Sequence, residues 1–233
     1  MKVSKVLFLF SALALMIFSA SCNRNAYLVQ DFETTTTGHD EIAVLPFEIV
    51  FTGMMPKNLS QEEFELALER DSEVYQNNYY NQILRSGSRR SSRNLNVNIQ
   101  PQSVTATILK ENGISTRESW KMSPSELAII LGVEAVVRGR IEQNRLMSDA
   151  ASFGIDIGTQ VLGTILGAPV FVPGRAANNK RIHATYQLVN QYDSRLLWST
   201  AYTCEADWSR SEEQVVAQVN SRSARNFPYR MGR

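Results

Sequence analysis

The sequence predicts an α/β fold, a single compact domain in which a mixed sheet is flanked by helices. Three observations predict it. Strand-like and helix-like stretches alternate through the first part of the chain, a later pair of runs reads as an antiparallel hairpin, and the composition is that of an ordinary globular protein. Of the 233 residues, 43% are hydrophobic and 20% charged, which is enough apolar surface for one sizeable core. The formal net charge of +1 gives no overall field of the kind that marks a nucleic-acid binder. Two cysteines and two histidines are too few for a zinc ribbon, a finger array or a disulfide scaffold.

The first strand is expected at Ile42–Phe47, a continuous apolar run with Pro46 near its exit, which suits a strand buried on both faces. Ser60 with Glu63 reads as a capping box, and Phe64, Leu68, Tyr75, Tyr79 and Ile83 recur along one face of the helix it opens. The run RSGSRRSSR at Arg85–Arg93 is expected as a solvated basic loop. Leu95, Val97 and Ile99 alternate with asparagines, as a short half-buried strand does. Val104, Ile108 and Leu109 mark a helix that Gly113 can close. Ser123, Pro124, Glu126 and Gly132 bound another, and Val133–Ile141 follows as strand. Ile182, Ala184, Tyr186 and Leu188 alternate with polar residues, and after Asp193-Ser194 the return strand starts at Leu196. Ser209 with Glu212 is expected to cap a last helix carrying Val215, Val216 and Val219, which stops before Pro228.

The N-terminus carries a secretory signal. Lys2 and Lys5 precede Val6–Phe18, a 13-residue run interrupted only by Ser11, and the small residues Ser19, Ala20 and Ser21 follow. A membrane-spanning helix needs about 20 apolar residues, and this run is shorter. Ser19-Ala20-Ser21-Cys22 resembles a bacterial lipobox, in which the cysteine is diacylated and becomes the mature N-terminus. Such boxes usually have Leu three positions before the cysteine, where this chain has Ser19. The resemblance implies a lipoprotein acylated at Cys22 with palmitate-like chains. No aspartate follows Cys22, which by the lipoprotein sorting rule implies the outer membrane, with the domain facing the periplasm. With Cys22 acylated, Cys204 is expected as a buried free thiol beside Trp198 and Tyr202. The expected organisation is signal peptide 1–21, lipidated tether 22–41, domain 42–220 and basic C-terminal tail 221–233.

Residues 147–179 separate two strands that should be neighbours, whereas most hairpin loops have about 2 to 5 residues. Phe153, Ile157, Val161 and Ile165 lie every four residues, on one face if the segment is helical. Gly154, Gly158, Gly163 and Gly167 punctuate the same stretch, and Phe153, Ile155 and Ile157 also alternate as a strand would. The pattern leaves both periods open. The apolar positions Phe153, Ile157, Val161 and Ile165 are the expected contact with a partner or membrane.

IAVLPF at Ile42–Phe47, ILGVEAVVRGRI at Ile130–Ile141 and YQLVNQYDSRLLWS at Tyr186–Ser199 resemble the three landmark segments of the CsgG-like lipoprotein superfamily, in order across Ile42 to Val219. That group includes a curli-secretion channel, LpoB-type activators of peptidoglycan synthases, and small outer-membrane lipoproteins. The resemblance implies an anticodon-binding or TolB N-terminal-like domain, with the Gly-rich insertion between two sheet strands. It also implies a non-catalytic accessory or structural component of an envelope assembly. Activation of a peptidoglycan synthase, or a subunit of a curli-type secretion pore, are the alternatives. The chain departs from the family at the hairpin, with Asn190 and Ser194 where aspartate and glycine are usual.

No catalytic constellation is legible. Glu62, Glu63, Glu65 and Glu69 crowd a helix start, where they complement its dipole. His39 and His183 lack the neighbours a metal needs, and no phosphate-loop motif occurs. The expectation is therefore no enzyme and no cofactor. The expected partners are the membrane through the lipid, an envelope protein and a second copy of the chain, with no nucleic acid.

Overall fold

The computed structural model describes residues 23–53, 60–88, 95–145, 180–206 and 211–230. In chain order they form β1 (Asn23–Leu28), a short α1 (Phe32–Thr35), β2 (Glu41–Val44), β3 (Glu48–Gly53) and α2 (Gln61–Ser88). Then come β4 (Asn98–Ile99), α3 (Gln102–Glu111), α4 (Thr116–Lys121), α5 (Pro124–Leu131) and β5 (Ala135–Arg145). The hairpin strands β6 (Lys180–Asn190) and β7 (Leu196–Ala206) and the helix α6 (Glu212–Arg225) complete the set. The sheet runs β1-β7-β6-β5-β2-β4, with β3 also on β5. β2 is parallel to β4 and β5, while β5, β6, β7 and β1 alternate in direction, so the sheet is mixed as expected.

Pro46 does not end the first strand's path; it interrupts it. Val44 stands opposite Val137 and Glu48 opposite Arg140, so one strand spends four steps where its partner spends three. Proline has no N–H to donate, and the extra residue is a bulge after which the ladder resumes as β3. Here the Phe47 ring lies against Gly139, where an added Cβ would come within 2.5 Å of it. The glycine in the Val136–Ile141 run is a seat for this ring.

Helices α2 and α6 cover one face of the sheet. The five periodic residues of α2, Phe64, Leu68, Tyr75, Tyr79 and Ile83, are all buried there with Val215, Val216 and Val219 of α6. Among the described residues the other face is covered only at its β2–β4 end, where α3 and α5 bring Leu109, Leu127, Ala128 and Leu131 over Ala43, Leu45 and Val136. The Ser60–Glu63 box forms, with reciprocal bonds of 2.9 and 3.2 Å, and Gly113 and Gly132 take φ of +71° and +70°.

Several expectations need correction. The stretch 22–41 is no tether over its described part. Residues 23–28 are β1, hydrogen-bonded into the sheet, and Val29, Phe32, Thr36 and His39 are buried. The expected loop at Arg85–Arg93 is helical through Ser88, because α2 docks on α6. Ser86 Oγ donates to the Ile83 carbonyl at 2.8 Å and to the Ala224 carbonyl at 3.1 Å. The basic tail 221–233 starts with the last turn of α6 and continues into buried Phe227, Pro228 and Tyr229. The cap of α6 is Ser211 with Gln214, two residues later than expected. Ser123 makes no side-chain cap bond and pairs with Ser125 Oγ at 2.8 Å. One helix was missed: α4, opened by a capping box of Ser115 and Glu118.

Candidate anchoring and interaction site

Strand register gathers the start of β1, the ends of β3, β5 and β7 and the start of β6 at one end of the sheet. Asn23, the first residue of β1, lies opposite Thr203 near the end of β7. Gly53 ends β3 opposite Arg145, which ends β5, and Lys180 opens β6 opposite Ala206. The insertion 147–179 therefore leaves and re-enters the sheet at the end where β1 begins. Cys22 lies outside the described residues, one position before β1, and so do Phe153, Ile157, Val161 and Ile165.

Cys204 is described, and it corrects an expectation. It is buried at 5% exposure in the α2/α6 core, as a small apolar residue would be, but it is disulfide-bonded rather than a free thiol.

Beside this end, the sheet face that α3 and α5 leave uncovered is polar. Paired rows read Glu142, His183 and Thr203, then Arg140, Thr185 and Ala201, then Arg138, Gln187, Ser199 and Tyr27. His183 Nδ1 is 2.9 Å from Thr203 Oγ1. Arg140 holds Glu142 at 3.0 Å and Glu48 at 2.6 Å, and those bonds raise its pKa further. Burial works the other way on Arg138, whose Nη2 donates to the carbonyls of Ser119 at 3.0 Å and Met122 at 2.7 Å and so ties down the end of α4. The exposed Tyr27 on β1, at 49%, adds an aromatic ring to this face.

The two histidines part company. His183 is half-buried on the open face, whereas His39 is buried and hydrogen-bonded through Nδ1 to the Tyr229 hydroxyl. Burial lowers the His39 pKa, with Glu134, Asn190 and Asp193 pulling it back up, and burial raises that of Tyr229. Sequence spacing gave no sign of this pair, since its members are 190 residues apart.

No reacting set emerges elsewhere among the described residues. A cleft of about 490 Å³ between α2 and α3, over Pro46, mixes Leu109 and Ile114 with Gln76, Gln102 and Lys110. Gln76 is occupied in the fold, donating to the Val44 carbonyl at 2.7 Å. Glu65 and Glu69 pair with Arg117 at 2.7 and 3.6 Å. Among the described residues no group of three His, Cys, Asp or Glu could hold a metal ion, and no helix is long and apolar enough to cross a membrane.

No protein-family model matches the chain, and no curated protein sequence does. Among solved structures it is similar to the PelC dodecamer from Paraburkholderia phytofirmans, at 12% identity and TM-score 0.39, over 88% of this chain and 96% of that one. It is also similar to the lipoprotein GNA1162 from Neisseria meningitidis, at 12% identity and TM-score 0.43, over 80% and 96%. A third likeness is to the LpoB C-terminal domain from Salmonella enterica, at 9% identity and TM-score 0.36, over 75% and 93%. The functional reading is drawn from this chain's own residues.

Proposed function

We propose that the chain is a bacterial envelope lipoprotein, acylated at Cys22, that acts by binding, as an accessory or structural component of an envelope assembly. This reading assigns it to the outer membrane with the domain on the periplasmic side, and to an envelope protein or a second copy of the chain as partner. The observation that carries it is the place of Cys22, which closes the signal and lipobox-like segment and directly precedes the first residue of β1. An anchor there leaves no linker, so the bilayer and that end of the sheet are adjacent. Each buried methylene of the acyl chains adds about 0.8 kcal/mol, and several chains together hold stably.

The insertion belongs to the same reading. It leaves the sheet at the anchored end, and the sheet face beside it that α3 and α5 leave open is lined by Arg140, Glu142, His183 and Thr185, polar groups that offer apolar side chains a poor seat. Phe153, Ile157, Val161 and Ile165 therefore point to the lipid surface or a partner as their cover.

Cys204 supports a second reading. It is disulfide-bonded, the sequence holds one other cysteine, and a sulfur in a disulfide cannot also carry a thioether. In that reading the signal is an ordinary secretory one and the N-terminal strand is covalently fastened to β7. Intact-mass analysis with thiol labelling separates the two. Acylation predicts a mature chain starting at residue 22, a mass increment of the acyl chains and partition into detergent, and with Cys22 taken it requires Cys204 to label as one thiol after unfolding, against the disulfide of the structure. An unacylated chain with no labelled thiol before reduction, recovered in the aqueous phase, overturns the lipoprotein.

A further inference from the structure

The two edges of the sheet are finished differently. At the β4 edge the strand is two residues long, and Pro101, two positions after it, has no N–H to offer. The chain just before β4 is tied to the C-terminal segment, with Asn96 N–H donating to the Tyr229 carbonyl at 3.0 Å and Leu95 bridging Arg230. At the β1 edge the strand pairs with β7 in unbroken register over six residues, with no proline and no bulge. Native sheets usually blunt such an edge with one of those devices, because its outer N–H and C=O groups are a template for another strand. The ladder fixes which groups point outward. Val29 N–H donates to the Leu197 carbonyl at 3.0 Å, which makes that pair a hydrogen-bonded one, and in antiparallel pairing the alternate residues face away from the partner. Leu28, Ala26 and Arg24 therefore turn their backbone groups outward.

The side chains described along this edge are apolar and open to solvent. Ala26 is exposed, Leu28 is 37% exposed and Tyr27 49%. Ala26 and Leu28 lie opposite Thr200 and Trp198, at the margin of the α2/α6 face, and Tyr27 lies opposite Ser199 on the polar face. Apolar surface thus flanks the outward backbone groups on both sides of the sheet.

We infer that the β1 edge is an interface between two copies of this chain, in which β1 of the second copy adds antiparallel to β1 about a two-fold axis at Ala26. Strand register argues for a second copy. Centred on Ala26, the pairing sets residue 26 against its own counterpart and residue 28 against residue 24, so all three outward residues of each strand are hydrogen-bonded, in about six bonds. Centring the pair two residues away in either direction leaves one outward residue of each β1 without a β1 partner. The side chains match the same axis. Ala26 is small where the two strands meet their own counterparts, with Cα atoms about 5.5 Å apart. Leu28 then lies diagonal to Ala26 of the second copy, so two leucines and two alanines form one apolar strip at the margin of the joined α2/α6 faces. On the opposite face each Tyr27 lies diagonal to its counterpart, at about 7 to 8 Å, within reach of an aromatic ring. A two-fold contact uses the same patch twice, and this strand is complementary to itself in backbone and side chains alike. The inference rests on the reading of the chain as a binding protein with a second copy as partner, and makes no use of the acyl anchor.

The test is sedimentation velocity of the full mature protein over a concentration series, in a density-matched detergent buffer, together with cross-linking by a short bismaleimide. Ala26→Pro is the decisive variant. It removes an outward N–H and none that β7 uses, and prolines are tolerated on edge strands in that orientation. Ile129→Lys, at the most exposed apolar side chain of α5, is the control, and circular dichroism and melting show whether each variant folds. The inference expects a dimer whose dissociation constant rises about 10-fold or more in Ala26→Pro and stays within about 2-fold in the control. Ala26→Cys should cross-link between copies about 10-fold more efficiently than Leu28→Cys, whose two copies stand about 14 Å apart along the strands, with the unaltered protein giving the background. If Ala26→Pro fails to fold, Leu28→Lys and the cross-linking pair decide. A monomer up to about 100 μM, a dimer indifferent to Ala26→Pro, one weakened by Ile129→Lys instead, or equal cross-linking at the two positions overturns the inference. Intact mass keeps the two readings apart: an acylated monomer removes this interface and leaves the lipoprotein, whereas a dimer that meets these criteria with Cys22 unacylated supports the interface and removes the lipoprotein.

Discussion

Ala43 and Val44 are neighbours in β2, both fully or almost fully buried, yet they belong to different interiors. Val44 faces the α2/α6 side, where thirty buried residues include Phe47, Tyr79, Tyr186 and Tyr202 with rings 4.8 to 6.3 Å apart. Ala43 faces the α3/α5 side, a cluster of eight aliphatic residues with no aromatic ring among them, whose buried Gln100 accepts from Thr105 at 2.8 Å and donates to the Leu131 carbonyl at 3.1 Å, bonds that stay local in sequence. The difference follows from sequence distance. The elements of the small face all lie between Glu41 and Arg145 and can assemble locally, whereas the large face must bring α2 to α6 across the insertion. Directional bonds specify that non-local pairing. Tyr186 donates to Asn220 Oδ1 at 2.5 Å, and Asn220 Nδ2 reaches Asn78 Oδ1 at 3.0 Å and the Tyr75 carbonyl at 3.3 Å. A fully satisfied buried network favours one arrangement over near alternatives.

Substitutions on the two faces can break or sharpen this contrast. Leu127→Ala hollows the small cluster, which has few neighbours able to collapse inward, and should cost about 3 to 4 kcal/mol in urea unfolding. A cost under about 1 kcal/mol would mean the small face is not an independent core. On the large face, Gly139→Ala drives a methyl into the Phe47 ring and should cost about 2 to 3 kcal/mol by overpacking. Pairing it with Phe47→Leu should recover part of that loss, and equal additive costs would show that the ring is not the obstacle. Asn220→Ala strands the buried Tyr186 hydroxyl and should cost about 2 kcal/mol. Adding Tyr186→Phe should then cost little more, whereas in the unaltered background Tyr186→Phe should be felt in full.

The smallest expected effect is a pH dependence at the His39–Tyr229 contact, which fastens the N-terminal segment to the C-terminal one. Burial holds the His39 pKa below its usual 6.5, so the unfolded chain binds the proton more readily. Stability contributed by neutral His39 is full above pH 6.5 and falls as the pH drops from there through the lower folded value. His39→Gln should flatten the melting temperature over that window while leaving it sloped elsewhere. An unchanged slope would place the titration on another group.

Much of this architecture was legible. The capping box at Ser60–Glu63, the helix face from Phe64 to Ile83, the glycine stops at Gly113 and Gly132 and the β6–β7 hairpin all appear where local pattern put them. The hairpin departure has a simple outcome: Ser194 takes φ of +57° where glycine would sit without strain, and Asn190 reaches Asp193 at 2.8 Å. The α4 cap at Ser115–Glu118 carried the same kind of signal and was overlooked. What misled was polarity read as looseness. Residues 23–41, 85–88 and 221–230 are rich in Asn, Thr, Ser and Arg, yet each is ordered by a long-range partner, namely β7, α6 and the α2 terminus.

The sequence by itself determined the periodic elements and their caps and stops, because each depends on residues within a few positions of one another. Only the tertiary structure decided that β1 is an edge of the sheet, that Cys204 is bonded, and that the end of α2 meets the end of α6 through Ser86, Ala224 and Arg230. Those outcomes depend on strand register and on helix packing between segments far apart in the chain, where the energy comes from shared burial and leaves no local periodicity to read.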